Sequence, residues 1–433
     1  MRVTKYFILV FSLVIIINCT KENEVNPEKV IEEERNEEIE TIEEPETVVY
    51  FTYNATELSD QERWIIIHDV NGNLLDYRRE KLEGSMEFSI DIDSVPEKIN
   101  VTKLAYNNPE EGNIEDHRVL TYTDIDVKSV WDDNNFFITG NLIGTFDFKI
   151  ENINGYEWYT ISTLYNTLRP GDYSTEVIDG KTTLNLYNIP LYENLEYFIN
   201  IRGVNGRTKY FKINPENEGI YIQDFSNFLE FDDYIGINLP ENLFYFLQSG
   251  GIDSDQSNSY WGSGQPFVEI FGYGEQVPEI GFLDGYANYK FGLNISFLDY
   301  SYSYYQIGDK VSEISIPSKP AFTLINEDVY HLEFSSDLNP LTKKTNYVSE
   351  VQSEGVRLNT SWDIYSTGSK TQELGSLPIE LLERFPNINM DDLNLSYIVL
   401  YTEGFEQQQF FIDQTSKIRN GNHISESFRF DDF

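Results

Sequence analysis

The sequence predicts a mostly β protein: tandem antiparallel β-sandwich domains followed by a larger β-rich C-terminal domain. Its 433 residues include 30 Tyr and 29 Phe, and aromatic residues favour strands. Alanine, the strongest helix former, occurs only at Ala55, Ala105, Ala287 and Ala321, so long helices are not expected. Short apolar runs separated by turn residues recur along the chain, which is typical of antiparallel sheets. This length corresponds to about two to four domains.

The charge balance excludes several classes of partner. The chain has 31 Lys and Arg against 73 Asp and Glu, a formal net charge of −42 at pH 7. Binding to a nucleic acid requires clustered Lys and Arg that displace counterions, so no nucleic-acid partner is expected. Docking on anionic lipid headgroups through a basic face is disfavoured because such a contact also needs basic clusters.

The N-terminus predicts a lipoprotein signal peptide over residues 1–18. Two basic residues precede the almost wholly apolar residues 6–17, a run too short to cross a bilayer core of about 30 Å as a helix. The run leads to Cys19, the only cysteine in the sequence. The segment Ile16-Ile17-Asn18-Cys19 resembles the lipobox of bacterial lipoproteins. That resemblance implies that Cys19 is acylated and attaches the mature protein to outer-membrane lipid.

Residues 19–47 are predicted to form an acidic, disordered tether. Residues 20–47 contain twelve Glu against three basic residues, and such a composition cannot bury enough apolar surface to fold. Directly behind the cysteine, Lys21-Glu22-Asn23-Glu24 is similar to the export signal of Bacteroidota surface lipoproteins. The similarity implies a lipid-anchored protein exposed at the cell surface.

The first predicted domain, residues 48–140, is a small antiparallel sandwich. Apolar runs precede and follow Asn71-Gly72, and this arrangement predicts a β-hairpin with a type I′ turn. Residues 88–93 alternate between apolar and polar, which predicts a strand with one buried face. His68, beside the hairpin turn, is expected to be a surface strand residue.

The second predicted domain spans residues 141–243, and its first part, residues 141–214, carries a strand-and-turn pattern. Within it, Tyr197 starts a strand of alternating apolar residues, and Val204-Asn205-Gly206 then turns the chain. This pattern resembles the penultimate strand and following turn of a fibronectin type III domain, over residues 141–214. The resemblance implies an immunoglobulin-like sandwich in which Tyr197 is the corner tyrosine.

The third predicted domain, residues 244–433, is β-rich and contains one helix. Ile379, Leu382 and Phe385 recur every three residues and Pro386 follows them. This spacing predicts a short helix with one apolar face.

Motifs for metal, cofactor and covalent chemistry are missing from the sequence. The four histidines are far apart and the single cysteine is assigned to lipid, so a zinc site is not expected. Asp253–Ser257 begins like a calcium-binding loop, but the sixth position is Asn258 instead of Gly and the twelfth is Gly264 instead of Glu. Phosphate-binding glycine motifs and a GxSxG elbow are also missing. We therefore expect no cofactor and name no catalytic residue.

Two aromatic segments supply the candidate ligand-binding residues. The strand at residues 300–304 alternates Tyr with Ser, so its rings share one face, either as a core-facing aromatic ladder or as a platform for sugar rings. The long polar loop at residues 249–266 either contacts a ligand or folds its Trp back into the core. The candidate residues are Tyr260, Trp261, Tyr300, Tyr302 and Tyr304.

These patterns predict a lipid-anchored outer-membrane surface protein that acts as a binding or structural module for a glycan, a peptide or a partner protein. The alternative is a surface-anchored glycan- or peptide-degrading enzyme with its site in residues 244–433. An exposed aromatic strip would favour a glycan, and a flat apolar patch would favour a protein partner. A deep pocket with two convergent carboxylates would favour the enzyme.

Overall fold

Strands dominate the described part of the protein, so the predicted mostly β class is confirmed. The structure is a computed structural model, and it describes residues 46–55, 61–80, 84–107, 114–133, 141–164, 167–203, 207–240, 243–253, 265–273, 278–353, 355–368, 373–403 and 423–431. Within these ranges lie 28 strands and one short α-helix. The predicted signal peptide, Cys19 and nearly all of the predicted tether lie outside the described residues.

The strands and the helix follow one another along three stretches of the chain. Residues 46–133 contain β1 (Thr47–Ala55), β2 (Glu62–Asp69), β3 (Leu74–Arg79), β4 (Gly84–Asp91), β5 (Lys98–Asn107), β6 (Ile114–Asp126) and β7 (Ser129–Asp133). Residues 141–230 contain β8 (Leu142–Ile153), β9 (Trp158–Thr163), β10 (Thr167–Leu168), β11 (Asp172–Ile178), β12 (Lys181–Tyr192), β13 (Tyr197–Arg202), β14 (Thr208–Ile213), β15 (Ile220–Asp224) and β16 (Leu229–Glu230). Residues 233–431 contain β17 (Asp233–Gly236), β18 (Phe244–Ile252), β19 (Gln265–Tyr273), β20 (Glu279–Phe282), β21 (Asn288–Ser296), β22 (Tyr300–Gly308), β23 (Phe322–Asn326), β24 (Glu333–Ser336), β25 (Thr342–Ser353), β26 (Val356–Thr367), α1 (Ile379–Arg384), β27 (Asn394–Glu403) and β28 (His423–Asp431).

One twelve-stranded sheet joins strands from both ends of the described chain. Its strand order is β19-β18-β21-β22-β28-β27-β25-β26-β6-β5-β2-β3. The parallel pair β26–β6 forms the seam between the two ends, with Trp362 opposite Val119 and Tyr365 opposite Tyr122. The sheet therefore contains strands from both the first and the third predicted segments, 48–140 and 244–433. These segments share a sheet and do not form a simple row of separate sandwiches.

Strands β1, β4 and β7 cover one face of this sheet at its β2–β5–β6 end. β1 pairs antiparallel with β4 and parallel with β7. The aromatic and aliphatic side chains between the two layers include Tyr50, Phe51, Tyr53, Ile65, Ile67, Phe88, Val101, Tyr122 and Trp131. The strands of residues 46–133 therefore form two packed layers, one of which is part of the twelve-stranded sheet.

The helix α1 lies on the opposite face of the same sheet. The predicted helix is confirmed at Ile379–Arg384, and it packs with Phe385 on apolar side chains of β2, β5, β6, β25 and β26. Arg384, the last residue of the helix, links it to β2, because the guanidinium donates to both carboxylate oxygens of Glu62 at 2.5 and 2.8 Å. Both faces of the sheet are therefore covered near the seam.

The predicted hairpin β2–β3 is confirmed, but its turn is not type I′. Of the turn residues, only Gly72 has a positive φ, at +80°. The side chain of Asp69 accepts hydrogen bonds from the backbone N–H groups of Asn71 and Asn73, both at 2.9 Å. The carboxylate thus stabilises a longer turn, and the register shifts between Ile67 and His68.

His68 is buried, so its expected place on the surface was wrong. Residues 373–377 cross over the hairpin, and the imidazole Nε2 lies 3.1 Å from the carbonyl oxygen of Ser376. Gly375 permits this close approach, because a Cβ atom there would lie 2.1 Å from the imidazole Cδ2. Desolvation lowers the pKa of His68. Residues about 300 positions further along the chain cover this side chain. The sequence around His68 therefore could not predict its burial.

The middle stretch forms a two-layer sandwich of its own. One sheet has the order β10-β9-β13-β14-β16 and the other β11-β12-β8-β15. Its core contains Phe146, Phe148, Ile150, Ile161, Leu184, Leu186, Tyr197, Ile199 and Ile201. The sandwich also touches the twelve-stranded sheet, because the Ser162 hydroxyl donates to the carbonyl oxygen of Pro266 at 3.0 Å.

Tyr197 makes the corner contact that the fibronectin type III resemblance implies. Its hydroxyl donates to the carbonyl oxygen of Pro190 at 2.7 Å and accepts from the backbone N–H of Tyr192 at 2.7 Å. The side chain is buried, so one phenol satisfies two backbone groups where the chain turns between β12 and β13.

Replacing Tyr197 by phenylalanine should lower the free energy of unfolding by about 1–3 kcal/mol, because the backbone groups of Pro190 and Tyr192 lose their partner. Urea denaturation of the two proteins measures the difference. The matched control is Tyr173→Phe, which alters an exposed tyrosine of the same sandwich and should change stability by less than about 0.5 kcal/mol. Equal effects of the two substitutions would contradict a structural role for the corner.

Candidate functional site

The predicted site residues divide between described and undescribed parts of the chain. Tyr260 and Trp261 lie outside the described residues, so the binding-loop hypothesis stays a prediction. The strand at 300–304 is the first half of β22, in the interior of the twelve-stranded sheet.

The three tyrosines of β22 form a core-facing ladder and leave no exposed stacking platform. Tyr302 is 1% exposed and Tyr300 is also buried, while Tyr304 is half-buried. The hydroxyl of Tyr302 donates to Glu426 Oε1 at 2.8 Å, and that of Tyr304 donates to Gln306 Oε1 at 2.7 Å. These rings pack into the core beneath the sheet.

The opposite face of the twelve-stranded sheet carries a cluster of partly exposed phenylalanines on β18 and β19. Side chains alternate along a strand, so Phe244 and Phe246 of β18 point away from the buried Tyr245 and Leu247. Phe271 of β19 lies directly opposite Phe246, and their ring centroids are 4.6 Å apart. Phe271 is 59% exposed and Phe244 is 39% exposed. We call Phe244, Phe246 and Phe271 the phenylalanine cluster.

Polar side chains continue this surface across the next strands. Asn294 lies opposite Phe246 on one side and Ser303 on the other, and its amide donates to the Ser303 hydroxyl at 2.7 Å. In the neighbouring row, Gly292 lies between Gln248 and Tyr305. These residues are half-buried except for Gly292, which is buried. Amide, hydroxyl and phenol groups therefore lie beside the phenylalanine cluster.

A cation marks the far end of this surface. Arg429 of β28 is exposed and lies opposite Ser301, and its guanidinium carbon is 3.9 Å from the ring centroid of Tyr397. The same guanidinium forms an ion pair with Asp431 at 2.8 Å.

From β19 to β28 the surface crosses five strands, about 19 Å at the usual strand spacing of about 4.8 Å. We call it the aromatic face, consisting of the phenylalanine cluster, Gln248, Asn294, Ser301, Ser303, Tyr305 and Arg429.

Lys290 lies on the same side of the sheet but is buried. A Cβ atom on the neighbouring Gly250 would lie 2.3 Å from its Cε, so the glycine makes room for the lysine chain. Desolvation lowers the pKa of Lys290 to about 8, although the negative charge of Glu269 acts in the opposite direction. The ammonium group is therefore costly to keep charged at neutral pH.

One pair of carboxylates lies on adjacent strands of the sheet. Glu403 is opposite Glu426, an arrangement in which like charges repel. The two carboxylate oxygens of Glu426 accept hydrogen bonds from the hydroxyls of Tyr302 and Thr402, at 2.8 and 2.9 Å. A glycosidase needs a carboxyl group that can transfer a proton to the leaving group, whereas both oxygens of Glu426 are already engaged by donors.

The described ranges contain neither a metal-binding cluster nor a membrane-spanning helix. Among the described side chains, no three His, Cys, Asp or Glu residues lie close enough together to hold a metal ion. In the same ranges, no helix has both the length and the apolar character needed to cross a membrane. Asp253 is described, but the rest of the calcium-like loop lies outside the described residues.

Comparison with known proteins gives no relative: no protein-family model matches the chain and no curated protein matches its sequence.

Proposed function

We propose that the protein is a lipid-anchored surface protein whose folded part binds a neutral glycan on the aromatic face. The observation that carries the proposal is the exposure of Phe271 and Phe244 beside the Asn294–Ser303 pair. The C–H groups on one side of a sugar ring pack against an aromatic ring. The hydroxyl groups of the sugar then reach amide and hydroxyl side chains, which both donate and accept hydrogen bonds.

Charge supports a neutral ligand over an anionic one. The net charge of −42 repels polyanions such as uronate-rich glycans when salt is low. On the aromatic face, the cation Arg429 is paired with Asp431 and so provides little net positive charge. The phenylalanine cluster, Gln248, Asn294, Ser303 and Tyr305 carry no formal charge, while Glu269, opposite Gln248 on the same face, adds a negative one.

The shape of the surface supports an extended chain of sugars. The aromatic face is part of a sheet and crosses five paired strands, so it offers contacts in a row over about 19 Å. A row of contacts suits a repeating polymer, since each sugar unit presents the same apolar side and the same hydroxyl groups. Weak contacts to single units then add up along the chain.

A glycan array tests this proposal with the mature lipidated protein in detergent. Neutral plant and microbial oligosaccharides should bind, with a preference for chains of several sugars over single sugars. Binding restricted to sulfated or uronate-containing glycans, or binding to none of the arrayed glycans, would contradict the proposal. Shortening of the bound oligosaccharides, seen as new reducing ends, would support the enzyme alternative instead.

The anchor is tested separately from the glycan site. Because Cys19 is the sole cysteine, Cys19→Ala should move the protein from the membrane fraction to the soluble fraction. Cell fractionation and mass spectrometry of the N-terminal peptide measure the change, and Asn23→Ala in the predicted tether serves as the control that keeps its acyl chains. A Cys19→Ala protein that still sediments with membranes would contradict lipid anchoring through this residue.

A further inference from the structure

A concave site lies away from the aromatic face, beside the turn that joins β21 to β22. It is a cavity of about 500 Å³, lined by residues 238–240, residues 313–318 and the two aromatic residues that flank the turn, Phe297 and Tyr300. Its existence does not depend on the glycan proposal, because no residue of the aromatic face lines it.

The floor of the cavity is apolar. The rings of Phe297 and Tyr300 are stacked, with centroids 4.3 Å apart and planes inclined by 2°. Leu239, Ile314 and Ile316 are half-buried and pack against the same core. A ligand group that fills the cavity therefore gains apolar contacts with both aromatic and aliphatic side chains.

One wall of the cavity is a strand-like segment that lacks a sheet partner among the described residues. Along residues 313–316, the exposed Glu313 and Ser315 alternate with the half-buried Ile314 and Ile316, as side chains do along a strand. The backbone N–H and C=O groups of residues 312–318 form no hydrogen bond with any other described residue. A row of such groups on extended backbone is a template for pairing with another chain.

The rim of the cavity favours a cation. Glu313 is exposed and lies on the wall, and it forms no ion pair with a described residue. Lys319, the basic residue just beyond the wall, is paired with Asp299. A positively charged side chain on the ligand would therefore meet an available carboxylate.

We propose that this groove binds an extended peptide segment of a partner protein by β-augmentation. The peptide backbone pairs with residues 312–316, an apolar or aromatic side chain enters the cavity above Phe297, and a neighbouring Lys or Arg pairs with Glu313. A peptide matches the wall because its backbone repeats donors and acceptors at strand spacing. The acidic tether of this chain, with twelve Glu in residues 20–47, does not match the acidic rim.

The test uses an array of random ten-residue peptides on glass, probed with the mature lipidated protein in detergent. The bound peptides should share an apolar or aromatic residue within two positions of Lys or Arg. Ser315→Pro should weaken their binding at least tenfold, since proline lacks the N–H and blocks pairing. Glu313→Lys should weaken it several-fold, with a loss that shrinks at high salt.

Matched variants show whether the peptides bind in this groove or elsewhere on the protein. Glu97→Lys makes the same charge change at another exposed position and should leave peptide binding unchanged. The double variant Phe246→Ala, Phe271→Ala alters the aromatic face and should also leave peptide binding unchanged. Peptide binding in the groove is thereby tested independently of glycan binding on the aromatic face. Melting temperatures confirm that each variant is folded, and Glu313→Lys remains informative if Ser315→Pro does not fold.

Three results would overturn the proposal. The first is that no arrayed peptide binds. The second is that the bound peptides bind Glu313→Lys and Ser315→Pro as well as they bind the unmodified protein. The third is that light scattering shows a dimer that Ser315→Pro dissociates, which would assign the groove to a second copy of this chain.

Discussion

Replacing Trp362 by alanine is expected to lower the free energy of unfolding by about 3–5 kcal/mol, the cost of removing a large buried aromatic side chain. Trp362 is 2% exposed, and its indole N–H donates to the Thr121 hydroxyl at 2.8 Å. Its ring also meets Tyr330 edge to face, with centroids 6.1 Å apart. The substitution would leave a cavity at the β26–β6 seam. It would also remove one of the two hydrogen bonds of the Thr121 hydroxyl, which keeps its contact with the Thr102 hydroxyl at 2.9 Å.

Urea denaturation measures this effect, and Val351→Ala provides the control. Val351 is an exposed residue of the adjacent strand β25, so its truncation should cost less than about 0.5 kcal/mol. If the shared sheet is one cooperative unit, Trp362→Ala shifts a single transition to lower urea concentration. A loss below about 1 kcal/mol, or a separate early transition for one end of the chain, would contradict this role of the seam.

Replacing Lys290 by methionine should stabilise the protein at pH 7 and change the way stability depends on pH. Burial lowers the pKa of Lys290 from 10.5 to about 8, so between these values the unfolded chain binds more protons than the folded one. The destabilisation caused by this residue therefore becomes smaller as the pH increases through this window. With this lowered pKa, the charged lysine costs about 3 kcal/mol at pH 7, and the cost falls to about 1 kcal/mol near pH 10.

The measurement is the difference in unfolding free energy between the variant and the unmodified protein at pH 7, 8, 9 and 10. Taking the difference cancels the titration of other groups, including the many tyrosines whose pKa is raised by burial, such as Tyr401 and Tyr365. Lys98→Met, at a partly exposed lysine paired with Asp126, is the control and should change the stability at pH 7 by less than about 1 kcal/mol. A constant difference for Lys290→Met across these pH values would contradict the lowered pKa.

Local structure could be predicted from the sequence where neighbouring residues determine it. The apolar spacing of Ile379, Leu382 and Phe385 predicted the helix α1, and the runs around Asn71-Gly72 predicted the hairpin. The turn type was wrong because the Asp69 carboxylate, a side chain outside the Asn-Gly pair, organises the turn. Tyr197 could be assigned because its corner contact reaches only residues 190–192.

The long-range pairing could not be predicted in this way. Strand β6 pairs in parallel with β26, more than 230 residues further along the chain, and nothing in either segment specifies the other. The same limit applies to the tyrosines at 300–304. Their alternation predicted that they share a face, but only the pairing of β22 with β21 and β28 shows that this face is the core.

The phenylalanine cluster was missed for a related reason. Phe244-Tyr245-Phe246-Leu247 is apolar at every position, a pattern typical of a strand buried on both faces. In the structure, Tyr245 and Leu247 are buried whereas Phe244 is partly exposed. The signal that could have revealed this is the polar alternation of the neighbouring strand, where Asn294 and Ser296 mark the solvent-facing side of β21. That signal has meaning only once β18 and β21 are known to pair.

The proposed glycan site is tested most directly by the affinity of the double variant Phe246→Ala, Phe271→Ala for the neutral oligosaccharide that binds the unmodified protein best on the array. Isothermal titration calorimetry should give a dissociation constant about 10–100-fold higher, since two aromatic contacts of about 0.5–1.5 kcal/mol each are removed. Tyr173→Ala, at an exposed aromatic residue on β11, should bind as the unmodified protein does. A folded double variant that retains the original affinity would contradict glycan binding on the aromatic face.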